Sequence, residues 1–302
     1  MNKGFKTFIE FFLAPLAIFI TALTIFLFFN WLFSKETNTQ KLLTELNSAA
    51  IHKKWRIAYD LATNRKHLDY IRNNSTGYLT IHRMLKDMLI QYPYIPASEK
   101  ESATRFIEYL IYLFSFCNNS EVNTFLRENL LRPDNNFLNV TILSIGNTKR
   151  TELVEDIIKI YTQAPEDTQL VILYVLGILP TPEGKKILMK EFYSNNTLKK
   201  LNSAFALARI GEKSVLPYFK HLLEKENYKL LEISEKGILR KINEQEERYI
   251  IENILKSLTN FNPEQLEELK ETLIELESKT KYFTIRRILK ELILRINKNG
   301  RR

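Results

Sequence analysis

Apolar residues along this chain recur at three- and four-residue intervals almost throughout, and Leu, Ile, Lys, Glu and Asn dominate over Val-rich alternating segments. That pattern predicts helices rather than strands. One stretch departs from amphipathic spacing. From Phe11 to Phe33 the order FFLAPLAIFITALTIFLFFNWLF contains no charge and only Thr21, Thr24 and Asn30 as polar residues. At about 1.5 Å per helical residue it is long enough to cross a hydrocarbon core about 30 Å thick. A secretory signal peptide would have a shorter apolar run and small residues at its exit. Here the exit is Asn30-Trp31-Leu32-Phe33, with Trp31 suited to a membrane interface. Pro15 inside the run keeps a buried soluble helix as the alternative, but such helices are seldom apolar on every face. The expectation is a short flank over 1–10 and a single-pass transmembrane helix over 11–33. Lys3 and Lys6 on one side and Lys35, Lys41, Lys53, Lys54 and Arg56 on the other do not decide its orientation. Because large domains translocate with little regard to charge, the expected arrangement has the N-terminus inside and the domain outside the cytoplasm.

Beyond this segment the dominant feature is internal periodicity. Taking Gly146, Pro180, Gly211 and Asn243 as helix-ending markers, the chain repeats at intervals of 31 to 34 residues. Four positions before the markers stand Ile142, Leu176, Leu207 and Leu239, and one before stand Ile145, Leu179, Ile210 and Ile242. Eight after come Val154, Leu188, Phe219 and Ile251, and twelve after come Ile158, Phe192, Leu223 and Leu255. Every one is apolar. Each unit therefore reads as two short helices whose stripes are too narrow to make a core alone, so that stacking buries them continuously. In Leu198 to Ile210 the expected buried face is Leu201, Ala204, Phe205 and Ala208, meeting Val215, Phe219 and Leu222 of the next helix.

The run Asn202 to Gly211, NSAFALARIG, followed by EKSVLPYFKHLL to Leu223, resembles one unit of the HEAT or HEAT-like (phycobilisome lyase type) repeat family. It has an alanine-rich helix ending in Ile-Gly, a short turn and an apolar helix. Pro180 and Asn243 depart from the glycine that the family prefers. The resemblance implies an all-α fold, an α-solenoid of helix pairs, over 137–258. Leu42 to Ala62 resembles a degenerate first unit with Ile51, Trp55, Ala58, Tyr59 and Ala62 on one face, within degenerate N-terminal helical repeats over 34–136. Tyr92-Pro-Tyr-Ile-Pro96 breaks the periodicity there. A capping pair closes 259–302, with helices over Pro263 to Ser278 and Tyr282 to Asn297. The second carries a stripe of Ile285, Ile288, Leu289, Leu292, Ile293 and Ile296.

The net charge of +9 changes this picture little, because the excess is local. Lys279 to Arg302 holds nine basic residues against the single acid Glu291. Arg286, Arg287, Lys290, Arg295, Lys298, Arg301 and Arg302 are thus the candidate contacts for an anionic partner. The acid-rich segment Glu264 to Glu277 is expected to face solvent and partly offset the basic helix after it.

Catalytic and metal chemistry has no recognisable pattern. Gly177 to Lys186, GILPTPEGKK, fails as a P-loop because its first glycine is two residues early and Lys186 stands where Ser or Thr should bind magnesium. It reads as a helix-turn-helix junction. His52, His67, His82 and His221 lack partners at helical zinc-site spacing and are expected on helix surfaces. The lone Cys117 reads as a small buried residue at a helix end. No cofactor, metal or catalytic residue is expected. The reading is a membrane-anchored scaffold or adaptor, an accessory subunit of a membrane or envelope complex that engages membrane-associated protein partners. An anionic-lipid or nucleic-acid binder acting through the basic C-terminus, and an enzyme with an unrecognised site, are the alternatives.

Overall fold

Asparagine starts several of the described helices. In the computed structural model, which describes residues 38–132, 136–235 and 238–299, Asn38 precedes α1 (Thr39–Ser48) and its side chain accepts from the Gln40 amide. Asn64 caps α3 (Arg65–Asn73), Asn74 caps α4 (Ser75–Gln91), and Asn119 caps α6 (Ser120–Leu131), each accepting from an amide of the first turn. Such caps satisfy amides that have no partner inside the helix and are worth about 1 kcal/mol each. The predicted span over 11–33, the flank over 1–10, and Arg301 and Arg302 lie outside the described residues. Among the described residues no helix is long and apolar enough to cross a membrane.

The chain divides into two units after Phe106, inside α5 (Ala97–Ser115), whereas the repeat pattern places the first change of character at residue 137. In the first unit α2 (Ile51–Thr63) packs on α1 and α3, and α4 returns to pack on both α3 and α1. Leu46, Ala58, Leu61, Ile71, Ile81 and Leu85 are wholly buried. The buried face of α2 is Ile57, Ala58, Leu61 and Ala62, while Tyr59 is exposed and Trp55 lies at the rim between Arg56 and Arg105. The predicted face is therefore rotated, because α2 meets α1 and α3 together. A 3-10 turn over Tyr92–Tyr94 ends α4 where the Tyr-Pro-Tyr-Ile-Pro break was expected.

The second unit is built from pairs. They are α7 (Leu138–Asn147) with α8 (Val154–Ile160), α9 (Glu166–Leu176) with α10 (Pro182–Phe192), and α11 (Thr197–Arg209) with α12 (Leu216–Leu223). After a hairpin, β1 (Glu232–Glu235) antiparallel to β2 (Ile238–Lys241), come α13 (Glu244–Leu258), α14 (Lys270–Lys279) and α15 (Phe283–Asn299). Contacts run between alternate helices: α7 on α9, α9 on α11, α11 on α13 and α13 on α15 form one row. On the other side α6 packs on α8 and α12 on α14, with α10 against α9 and α11. The described chain is thus all-α apart from one short hairpin.

Of the sixteen periodic apolar positions, all are buried except Ile158, Ile210 and Leu239. The departures have structural reasons. Leu239 is on β2, because the hairpin occupies the place where a fourth first-helix was expected. Asn243 does not end a helix; it begins α13, in a capping box with Glu246. In α11, Ser203, Ala206 and Leu207 are buried in addition to Leu201, Ala204 and Ala208, whereas Phe205 is half-buried against Phe219. A helix enclosed by α9, α10 and α13 needs apolar residues over more than one stripe. In the C-terminal pair the stripe of α15 follows expectation, with Ile285, Leu289, Leu292 and Ile296 buried and Ile288 and Ile293 half-buried, whereas the helix expected over Pro263 to Ser278 is a 3-10 segment, Pro263–Leu269, followed by α14.

Candidate functional site

The stacked helices of the second unit are held in register by polar side chains that reach from one pair to the next. Arg127 meets Asp156 at 2.8 Å, Asn139 donates to Asp167, and the capping residue Asn196 donates to Glu166. Arg150 donates to the carbonyls of Ser115 and Cys117 and to the side chain of Asn123, closing the end of α5. Arg295 does the same for α13, donating to the carbonyls of Thr259 and Phe261. A guanidinium on the free carbonyls of a helix end satisfies acceptors that the helix cannot, and its charge opposes the helix dipole. Asp156 and Glu212 are held below the usual carboxylate range, by hydrogen bonds from Arg127 and Lys185 respectively.

One end of this row forms a groove of about 760 Å³ across the turns that follow α7, α9 and α11. Its lining includes Ile178, Pro180, Pro182 and Ile210 as apolar surface and Lys149, Lys185 and Arg209 as cations. The backbone explains why these residues meet. After α11 the chain turns at Gly211, φ +78°, with the Glu212 amide bonded to the Leu207 carbonyl. After α7 the Arg150 amide bonds to the Ile145 carbonyl in the same way, and the left-handed residue is Lys149, φ +56°. Both are Schellman turns. Lys149, not Gly146, is therefore the structural counterpart of Gly211. Gly146 lies inside α7, where an added Cβ would meet the Val175 side chain at 2.9 Å. A lysine in left-handed backbone costs about 1 kcal/mol relative to glycine.

The three groove cations differ in their partners. Lys185 pairs with Glu212 at 2.7 Å. Arg209 donates to the Tyr174 carbonyl and stacks 4.7 Å from the Tyr174 ring, so its charge meets a carbonyl and a π-face but, among the described residues, no carboxylate. The exposed Lys149 has no carboxylate within ion-pair distance among the described residues. Beside the lining residues in sequence stand the exposed Lys186 and Lys213 and the exposed acid Glu183. Gly177 to Lys186 forms the α9–α10 junction, where Thr181 caps α10 and Pro182 takes its first position.

A second cavity, of about 450 Å³, lies where α13 and α14 meet the segment Glu224–Leu230. Its charges are largely matched. Tyr228 donates to Glu226, which also pairs with Lys229, and Tyr282 donates to Glu244, which also pairs with Lys281. Glu226 is held low by Lys229, while burial pushes the Tyr228 hydroxyl up.

The predicted anion contacts at the C-terminus are partly spent inside the fold. Arg286 donates to the Thr280 carbonyl, Arg295 caps α13, and Lys290 lies 3.9 Å from Glu277. Arg287 and Lys298 are exposed. His52 and His221 are exposed and His82 half-buried, but His67 is buried, its Nδ1 2.8 Å from Thr39 Oγ1, where it ties α3 to α1. Cys117 is buried just beyond α5, and desolvation pushes its thiol up to about 12, with Arg150 opposing part of the shift. Among the described residues no group of three His, Cys, Asp or Glu side chains is placed to hold a metal ion. No protein-family profile matches this chain, and no curated protein matches it either. The class defined by the described residues is that of an all-α protein of stacked helix pairs.

Proposed function

We propose that this protein is an interaction scaffold, a HEAT-like α-solenoid carried on an apolar N-terminal anchor over 11–33, that engages a protein partner at the membrane surface. The observation that supports it best is the row α7–α9–α11–α13–α15, in which polar contacts fix one unit on the next and leave a groove along the aligned turns. Stacked pairs of this kind generate extended surfaces that suit binding more than chemistry. Confinement by the anchor raises the effective concentration of a membrane partner, so that weak contacts suffice. The basic C-terminal helix supports an electrostatic reading less well, since Arg286, Lys290 and Arg295 already serve the fold.

Site-specific photo-crosslinking in native membranes tests the scaffold. A crosslinking residue would replace Tyr174, Tyr249 or Leu294 on the long row, or Tyr193 or Ile274 on the other side; all five are exposed. A scaffold gives one discrete adduct, concentrated on one side. Absence of an adduct from all five positions, in protein that retains its fold, would sink the reading.

A further inference from the structure

The turn groove has a chemistry that selects its occupant. Its floor is apolar, through Ile178 and Ile210, and its rim carries Lys149 and Arg209, with no carboxylate of the described residues paired to either. Lys149 stands at a left-handed position that Gly211 fills in the equivalent turn, so a cation is present where the backbone favours no side chain. The other non-glycine left-handed positions among the described residues, Lys225 and Glu226, lie outside this groove. We propose that the groove binds an extended acidic segment of a protein partner. Two of its carboxylates pair with Lys149 and Arg209, and an apolar side chain between them lies on Ile178 and Ile210. The arginine is already fixed by its bond to the Tyr174 carbonyl and its stacking on that ring, so little side-chain freedom is lost when a carboxylate arrives. Two cations flanking an apolar floor suit a short peptide better than a polynucleotide, which needs a longer basic track. The partner's being a protein rests on the scaffold reading; the charge preference does not.

The test uses full-length protein in neutral detergent and a fluorescein-labelled hexapeptide, Asp-Asp-Leu-Asp-Asp-Leu, read by anisotropy. Lys149→Gly removes the charge while relieving the backbone, so it cannot fail merely by unfolding. It is expected to weaken binding about 3- to 5-fold, the loss of one exposed ion pair, with no fall in melting temperature. Arg209→Gln should weaken it at least as much. Lys225→Gly, the same change at a left-handed position outside the groove, should bind like wild type. The proposal is overturned if Lys149→Gly binds like wild type, if Lys225→Gly weakens binding equally, or if a Lys-Lys-Leu-Lys-Lys-Leu peptide binds as well. Tighter binding of an eight-residue oligothymidine than of the acidic peptide would also overturn it. Crosslinks on the helix row together with no peptide binding would remove the groove and leave the scaffold standing.

Discussion

At the scale of single residues, Arg150 shows how one side chain can tie together segments of the second unit that are distant in sequence. It is the residue after left-handed Lys149 in its turn, and its guanidinium reaches back to the Ser115 and Cys117 carbonyls. Truncating it leaves those acceptors and the Asn123 side chain without their charged donor, which costs about 2 kcal/mol or more. Arg150→Ala should therefore lower the urea midpoint clearly, whereas Arg287→Ala on the exposed face of α15 should change stability by less than about 0.5 kcal/mol. Cys117 provides an independent reading of the same region. Its thiol is buried and pushed up to about 12, so almost no thiolate exists at neutral pH. Native protein at pH 7.5 should resist iodoacetamide and become reactive in step with unfolding. Rapid labelling of the native state would show that the end of α5 is open.

At the scale of elements, periodicity reveals that helices exist and roughly where they lie, but not which residue holds which place in a turn. Gly146 and Gly211 look equivalent because both are glycines near helix ends, yet the backbone pairs Gly211 with Lys149. A residue three positions away takes the left-handed place, and residue type alone does not reveal it. Asn243 misled for a related reason, since asparagine suits both ends of a helix and only the Glu246 partner marks the N-terminus. The groove escaped sequence reading altogether, because its cations stand 24 to 60 residues apart in sequence and meet only once the pairs stack. The capping helix was legible because its stripe is continuous. One close approach gives a sharp test of the stacking. A Cβ at Gly177 would lie 2.7 Å from the Ala206 backbone, whereas at Gly146 it would meet only the side chain of Val175. Gly177→Ala should destabilise by about 2 to 3 kcal/mol, as overpacking between helices does, and Gly146→Ala by less because a side chain can shift. Equal effects in thermal melts would mean that α9 and α11 are further apart than described.

At the scale of the whole molecule, two predictions bear on the anchor and on the ion pairs. If the apolar run over 11–33 is the anchor proposed above, it inserts essentially irreversibly, and full-length protein should remain in the membrane pellet after high salt and alkaline carbonate. Recovery in the supernatant would remove the anchor from the proposed function. The ion pairs predict the acid response of the folded part. Asp156, Glu212, Glu246 and Glu252 are all held below their ordinary values, chiefly by hydrogen bonds from Arg127, Lys185, Arg240 and Arg248. A carboxylate whose native value is depressed binds fewer protons in the folded state than in the unfolded state. Its stabilising contribution is present above the unfolded value, about 3.9 to 4.3, and is lost as pH falls through the lower native value. Stability should therefore change little on this account between pH 7 and about 5 and then decline steeply in acid. Asp156→Asn separates this mechanism from general charge repulsion, because it deletes one depressed group where Arg127 crosses from α6 to α8. The variant should be less stable than wild type at pH 7, and the gap should narrow as pH falls below about 4, since wild type then loses the same contact by protonation. A gap that stays constant from pH 7 to pH 3 in urea titrations would show that the Asp156 pair contributes nothing that titrates.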